Sequence, residues 1–231
     1  MEELKIIYED NHIIVVLKPQ NILSQGDETG DKSLLDMVKE YLKTTYNKQG
    51  NVYVGLVHRL DRPTGGVMVF AKTSKAASRL SEQLKSKEFT KNYLAVVVGT
   101  PKYKASRLEH FLHKDEVNNI VKVCGRAVNG AKQAILEYNT IKTLDKVSLV
   151  SVKILTGRSH QIRVQLSQIG LPIFGDVKYG GTTLAKGHNL ALWAYNLSFT
   201  HPTTKKAMTF KCLPPTDLVP WNVFEKEIIN I

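Results

Sequence analysis

The chain has 231 residues, 42% of them apolar, and a formal net charge of +11. That length and apolar content can build a substantial core without covalent staples. Cys124 and Cys212 lie far apart and match no ligand spacing, which argues against a metal site built on them and for reduced thiols in a cytoplasmic protein. The opening Met1-Glu2-Glu3-Leu4-Lys5 lacks the basic-then-apolar pattern of a signal peptide, and no apolar run approaches membrane-spanning length.

In chain order, residues 5–8 and 12–18 read as a strand hairpin around Glu9-Asp10-Asn11. Ser33 with Asp36 three residues on resembles a capping box, and Leu34, Val38, Tyr41 and Leu42 share one face, so the spacing predicts a helix over 33–46. Residues 66–72 read as a buried strand. Thr73-Ser74 opens a helix with Ala76, Ala77, Leu80 and Leu84 on one side. Strands are expected at 92–98, 107–112, 120–124, 132–142, 146–155, 190–199 and 207–213, the last two around His201-Pro202-Thr203-Thr204. Between them, 159–169 reads as a short helix stopped by Gly170 and Pro172, and 219–229 as a final helix. There are no repeats or Ser/Gly linkers, so residues 1–231 are expected to form a single α+β domain on a largely antiparallel, mixed sheet flanked by helices.

Charge is unevenly spread. Residues 117–213 carry thirteen Lys or Arg against three acids, Glu137, Asp145 and Asp176, whereas 1–116 are nearly balanced. A segment that basic gains affinity for a polyphosphate through counterion release, although a solvated surface carries the same signature.

Two short segments concentrate chemistry. In His58-Arg59-Leu60-Asp61-Arg62-Pro63-Thr64-Gly65-Gly66, one carboxylate sits between two arginines on a turn between apolar runs. Nearby cations favour the ionised form, which suits Asp61 to nucleophilic or electrostatic work more than to proton donation. A structural ion pair pinning the turn is the plainer reading. In Thr156-Gly157-Arg158-Ser159-His160-Gln161-Ile162-Arg163, several cations enter a helix, which could also be an amphipathic helix with a basic exposed face. Tyr93 lies in a valine-rich strand where a core tyrosine is the default. Lys72 ends a strand and reads as a phosphate contact or a solvent-facing end. His110 and His113 fall on opposite faces of a strand, and no metal site is assigned.

The run His58 to Gly66 with Lys72, the run Lys91-Asn92-Tyr93-Leu94-Ala95-Val96-Val97-Val98-Gly99, and Gly157 to Arg163 continuing through Gly170-Leu171-Pro172-Ile173-Phe174-Gly175-Asp176 to Tyr179-Gly180 resemble the RluA family of RNA pseudouridine synthases. The resemblance spans residues 6–214 and implies that fold with a basic cleft across it. It further implies isomerisation of uridine in ribosomal or transfer RNA without a cofactor. Asp61 would be the catalytic aspartate and Arg163 its partner. Tyr93 would stack on the flipped uracil, and Arg59 would enter the gap the nucleotide leaves. Arg62, Lys72, Arg158 and His160 would contact RNA, and the enzyme would act as a monomer. An enzyme altering a base must first extract it from its stack, and a planar guanidinium can fill the gap while holding phosphates.

The sequence departs from that family's pattern at Gln165 and Trp193, where histidines are usual, and at Gly65, where serine is common. A noncatalytic RNA-binding protein would explain the basic charge equally well, but gives no reason for an acid among the cations. An aspartyl phosphatase is disfavoured because Pro63, not a second acid, follows two residues after Asp61.

Overall fold

The computed structural model describes residues 4–180 and 187–231. In chain order the strands and helices are β1 (Ile6–Glu9), β2 (Ile13–Lys18), α1 (Leu34–Thr45), β3 (Gly55–Leu56), β4 (Gly65–Ala71), α2 (Ser74–Lys85), β5 (Thr90–Val98), β6 (Ala105–Asp115), β7 (Ile120–Cys124), β8 (Lys132–Leu144), β9 (Val147–Ile154), α3 (Gln161–Gln168), β10 (Leu192–Thr200), β11 (Ala207–Lys211) and α4 (Glu225–Ile229). This is an α+β fold. Each strand pair with a defined register is antiparallel. The chain forms two compact units. Residues up to Thr90 join Ala194–Cys212 in the first, and Lys91–Trp193 join Leu213–Ile231 in the second.

In the first unit the strand order is β1-β2-β4-β10-β11, with β3 beside β4. The β1–β2 turn is made by Asp10, whose Oδ1 accepts the amides of His12 and Ile13 at 2.7 and 2.9 Å. β4 is buried along its whole length, as its uninterrupted apolar run requires. Ile13, Val15, Val67 and Val69 form a core with Leu80 of α2 and with Phe89 and Phe199, whose rings stack at 5.1 Å. The capping box of α1 is present in full. Ser33 accepts the amide of Asp36, and the Asp36 carboxylate accepts that of Ser33. Gly66, the second residue of β4, has φ +130°, and a Cβ there would lie 2.3 Å from the carbonyl oxygen of Ala194, so only glycine fits.

In the second unit the order is β5-β9-β8-β6-β7. β6 and β8 run several residues beyond their apolar cores, because cross-strand hydrogen bonds continue where the side chains have become polar. α3 packs on this sheet through Val164, among Leu112, Val121 and Ala134. Its residues Gln161 to Leu166 are all buried, so the helix has no basic exposed face. Residues 221–224 form a 3-10 turn before α4, where a continuous helix over 219–229 is expected from the sequence.

Candidate active site

Asp61 lies on the turn before β4, closed by the amide of Thr64 donating to the Asp61 carbonyl at 2.9 Å. Leu60 points inward, Asp61 is half-buried, and Arg59 and Arg62 are exposed. Three side chains from the end of β2 and the segment after it hold this turn. Lys18, 0% exposed, donates from Nζ to the carbonyls of Pro19, Arg62 and Thr64 at 3.0, 3.0 and 2.7 Å. Gln20 donates to the Pro63 carbonyl at 3.0 Å. Ser24 donates to the Leu60 carbonyl at 2.8 Å and accepts the Leu60 amide at 3.1 Å. His58 accepts the Val69 amide at 3.2 Å and so anchors the start of the same segment to β4.

Burial pushes the Lys18 ammonium down to about 7, with the charge of Asp61 opposing the shift and that of Arg62 adding to it. A cation is thus held beneath the turn that carries the acid. Arg62 bonds on the surface to Asp31 at 2.7 Å and to the Asn21 carbonyl at 3.1 Å.

Lys72, expected from the resemblance to contact RNA, is turned inward and paired within the protein. Its side chain is 8% exposed, its Nζ is paired with Glu9, and it lies 4.8 Å from the centre of the Tyr46 ring. A lysine at the end of a buried strand is pulled inward when a carboxylate is available beside it. Burial raises the Glu9 pKa, but hydrogen bonds from Lys72, Tyr46 and Tyr41 outweigh that and hold it below the ordinary carboxylate range.

In the second unit, Arg163 of α3 is 5% exposed and forms a bidentate pair with Asp176, Nε to Oδ2 at 2.8 Å and Nη2 to Oδ1 at 2.7 Å. Two of its five N–H groups serve this carboxylate. Asp176 also accepts the amides of Lys178 and Tyr179 at 3.0 and 3.1 Å, and the guanidinium lies 5.1 Å from the centre of the Tyr179 ring. Tyr179 accepts the Val121 amide at 2.9 Å and is hydrogen-bonded to His160 Nδ1 at 2.6 Å. His160 takes a left-handed backbone, φ 51°, at the entry to α3. The structure therefore brings His160 and Arg163 together around Tyr179.

Gln161 fastens the same entry, accepting from the Thr156 hydroxyl and the Arg158 amide at 2.8 and 3.0 Å. Arg158 stands apart on the surface, its Nε on the Gln133 carbonyl at 3.0 Å. Gln165 is 0% exposed and ties α3 to the sheet through Ala134 O at 3.1 Å and His110 Nδ1 at 3.0 Å. Trp193 is likewise buried. Tyr93 is buried on β5 opposite Val152.

Sequence reasoning missed Lys18, Gln20 and Ser24 as parts of the site. One signal was present, a charged residue ending the otherwise apolar β2. Asp176 and Tyr179 entered only as letters of a motif, without a role. Among the described residues no group of three His, Cys, Asp or Glu could hold a metal ion, and no helix is long and apolar enough to cross a membrane.

The fold is that of solved RNA pseudouridylate synthase domains. It superposes on the human RNA Pseudouridylate Synthase Domain Containing 4 with a TM-score of 0.78 at 22% identity, over 97% of this chain and 93% of that one. For the human Domain Containing 1 protein the TM-score is 0.74 at 23% identity, over 95% and 86% of the two chains. In sequence, residues 12–168 match the RNA pseudouridylate synthase family. The chain is 36% identical over 77% of its length to the ribosomal large subunit pseudouridine synthase D of Borreliella burgdorferi, of which it spans 55%. It is 31% identical over 94% of its length to the uncharacterized RNA pseudouridine synthase YlyB of Bacillus subtilis, of which it spans 71%. The chain belongs to the RNA pseudouridylate synthase family, in the RluA-type branch to which its motifs point.

Proposed function

We propose that this protein converts uridines of structured RNA, foremost large-subunit ribosomal RNA, to pseudouridine. The bond between N1 of uracil and C1′ of ribose breaks, the base turns while bound, and C5 joins C1′. The proton leaving C5 passes to solvent and N1 gains one, so no atom or electron is lost. Asp61 acts on the nucleotide as nucleophile or electrostatic stabiliser. Arg163, held by Asp176 and Tyr179, partners the acid. Tyr93 stacks on the extruded uracil, and Arg59 stands in the RNA stack where that base was. Arg62, Arg158 and His160 contact the RNA backbone. The whole chain works as one catalytic domain and as a monomer.

The observation that carries this reading is the construction beneath Asp61. Lys18, Gln20 and Ser24 together hold the carbonyls of Leu60, Arg62, Pro63 and Thr64, which leaves a half-buried acid on a rigid turn next to an exposed arginine. Fixed geometry at the reacting group is what such a rearrangement needs. Incubating the purified chain with in vitro transcribed large-subunit ribosomal RNA and mapping carbodiimide adducts by primer extension tests it. New stops at discrete uridines are expected, and a transcript left without stops would refute the reading.

A further inference from the structure

We propose that Lys91 is a phosphate contact for the RNA substrate, beside Tyr93 on the same face of β5; this rests on the reading above and extends it. Residues two apart on a strand project to one side, so Lys91 accompanies Tyr93. Among the described residues, no carboxylate or hydrogen-bond acceptor is in reach of the Lys91 ammonium. The contrast with two lysines whose ammonium groups are held inside the protein is direct, for Lys72 has Glu9 and Lys18 has three carbonyls. Desolvation alone acts on Lys91, lowering its pKa below that of an ordinary lysine.

A cation kept partly from water without a counter-charge costs stability, and an incoming anion relieves that cost. Among the described residues, a Cβ built on Gly157 would meet only Lys91 Nζ, at 3.7 Å, and Gly157 is exposed on the turn that leads to His160 and Arg163. With no side chain of its own, residue 157 adds nothing between the ammonium and that exposed side, from which a phosphate oxygen can reach it. Lysine presents a compact point charge with three donors, which suits a phosphodiester oxygen.

The test compares wild type, Lys91→Met and Lys91→Arg in the full chain, using the same transcript labelled with tritium at C5 of uracil. KM and kcat come from tritium release, Kd from filter binding across a KCl series, and Tm from thermal unfolding. Lys91→Met is expected to raise KM about tenfold, with a smaller effect on kcat, since a charge-assisted hydrogen bond is lost. It should also flatten the slope of log K against log salt by roughly 0.7 to 0.9, the share of one phosphate contact. Its Tm should equal or exceed that of wild type, and Lys91→Arg should restore binding. An unchanged KM and salt slope in Lys91→Met beside an active wild type overturns this inference alone. A lowered Tm with the salt slope intact also overturns it, because Lys91 would then be structural. A wild type that releases no tritium overturns the parent reading.

Discussion

The Lys18 ammonium, enclosed by carbonyls of the Asp61 turn, makes stability depend on pH in a predictable direction. Its folded pKa, about 7, lies below the ordinary lysine value of 10.5. Between these values the unfolded chain binds the extra proton, so the cost of burying the charge is full below about 7 and is relieved as pH rises towards 10.5. Lys18→Met removes this linkage. The stability of wild type relative to Lys18→Met should therefore rise with pH across that interval, as read by urea unfolding at several pH values. Near neutral pH the variant should be destabilised by roughly 1–3 kcal/mol, because buried carbonyls lose their donor, and tritium release should fall with it. In the second unit, Asp176→Ala strands Arg163 without its bidentate partner. Breaking a buried pair in this way should cost about 3–5 kcal/mol in urea unfolding.

At the level of elements, local chemistry was readable and distant partnerships were not. Ser33 and Asp36 announce the start of α1, and the structure places the capping box there. Ser33→Ala should accordingly lower stability by about 1 kcal/mol, measured as a drop in Tm. The hairpins of β1–β2 and β10–β11 were equally visible, since their turn residues and alternating runs are adjacent in sequence. The hold of Lys18 on Arg62 and Thr64 spans 44 and 46 residues, and no local pattern encodes it. α3 shows the same limit. Its cations suggest a basic outer face, yet Arg163 is drawn inside by Asp176, thirteen residues away. Lys72 is the converse case, since a strand-end lysine looks exposed until Glu9 is placed beside it. Lys72→Ala should cost about 3 kcal/mol of stability and leave the salt dependence of RNA binding unchanged.

Over the whole molecule, surplus positive charge and surface coincide. Of the thirteen basic residues between 117 and 213, eleven are exposed, Arg163 is buried, and Lys186 lies outside the described residues. That distribution supports backbone contacts with RNA whose affinity falls steeply with salt. Replacing exposed Lys122, Lys132 and Lys142 together by glutamate should weaken binding across unrelated RNA sequences, while thermal stability stays within about 1 kcal/mol of wild type. The most direct measurement is tritium release from C5-labelled ribosomal RNA by wild type and by Asp61→Asn, with Kd determined for both. Wild type should release tritium, and Asp61→Asn should release none while keeping most of its RNA affinity. Undiminished release by the variant would contradict the assignment of Asp61.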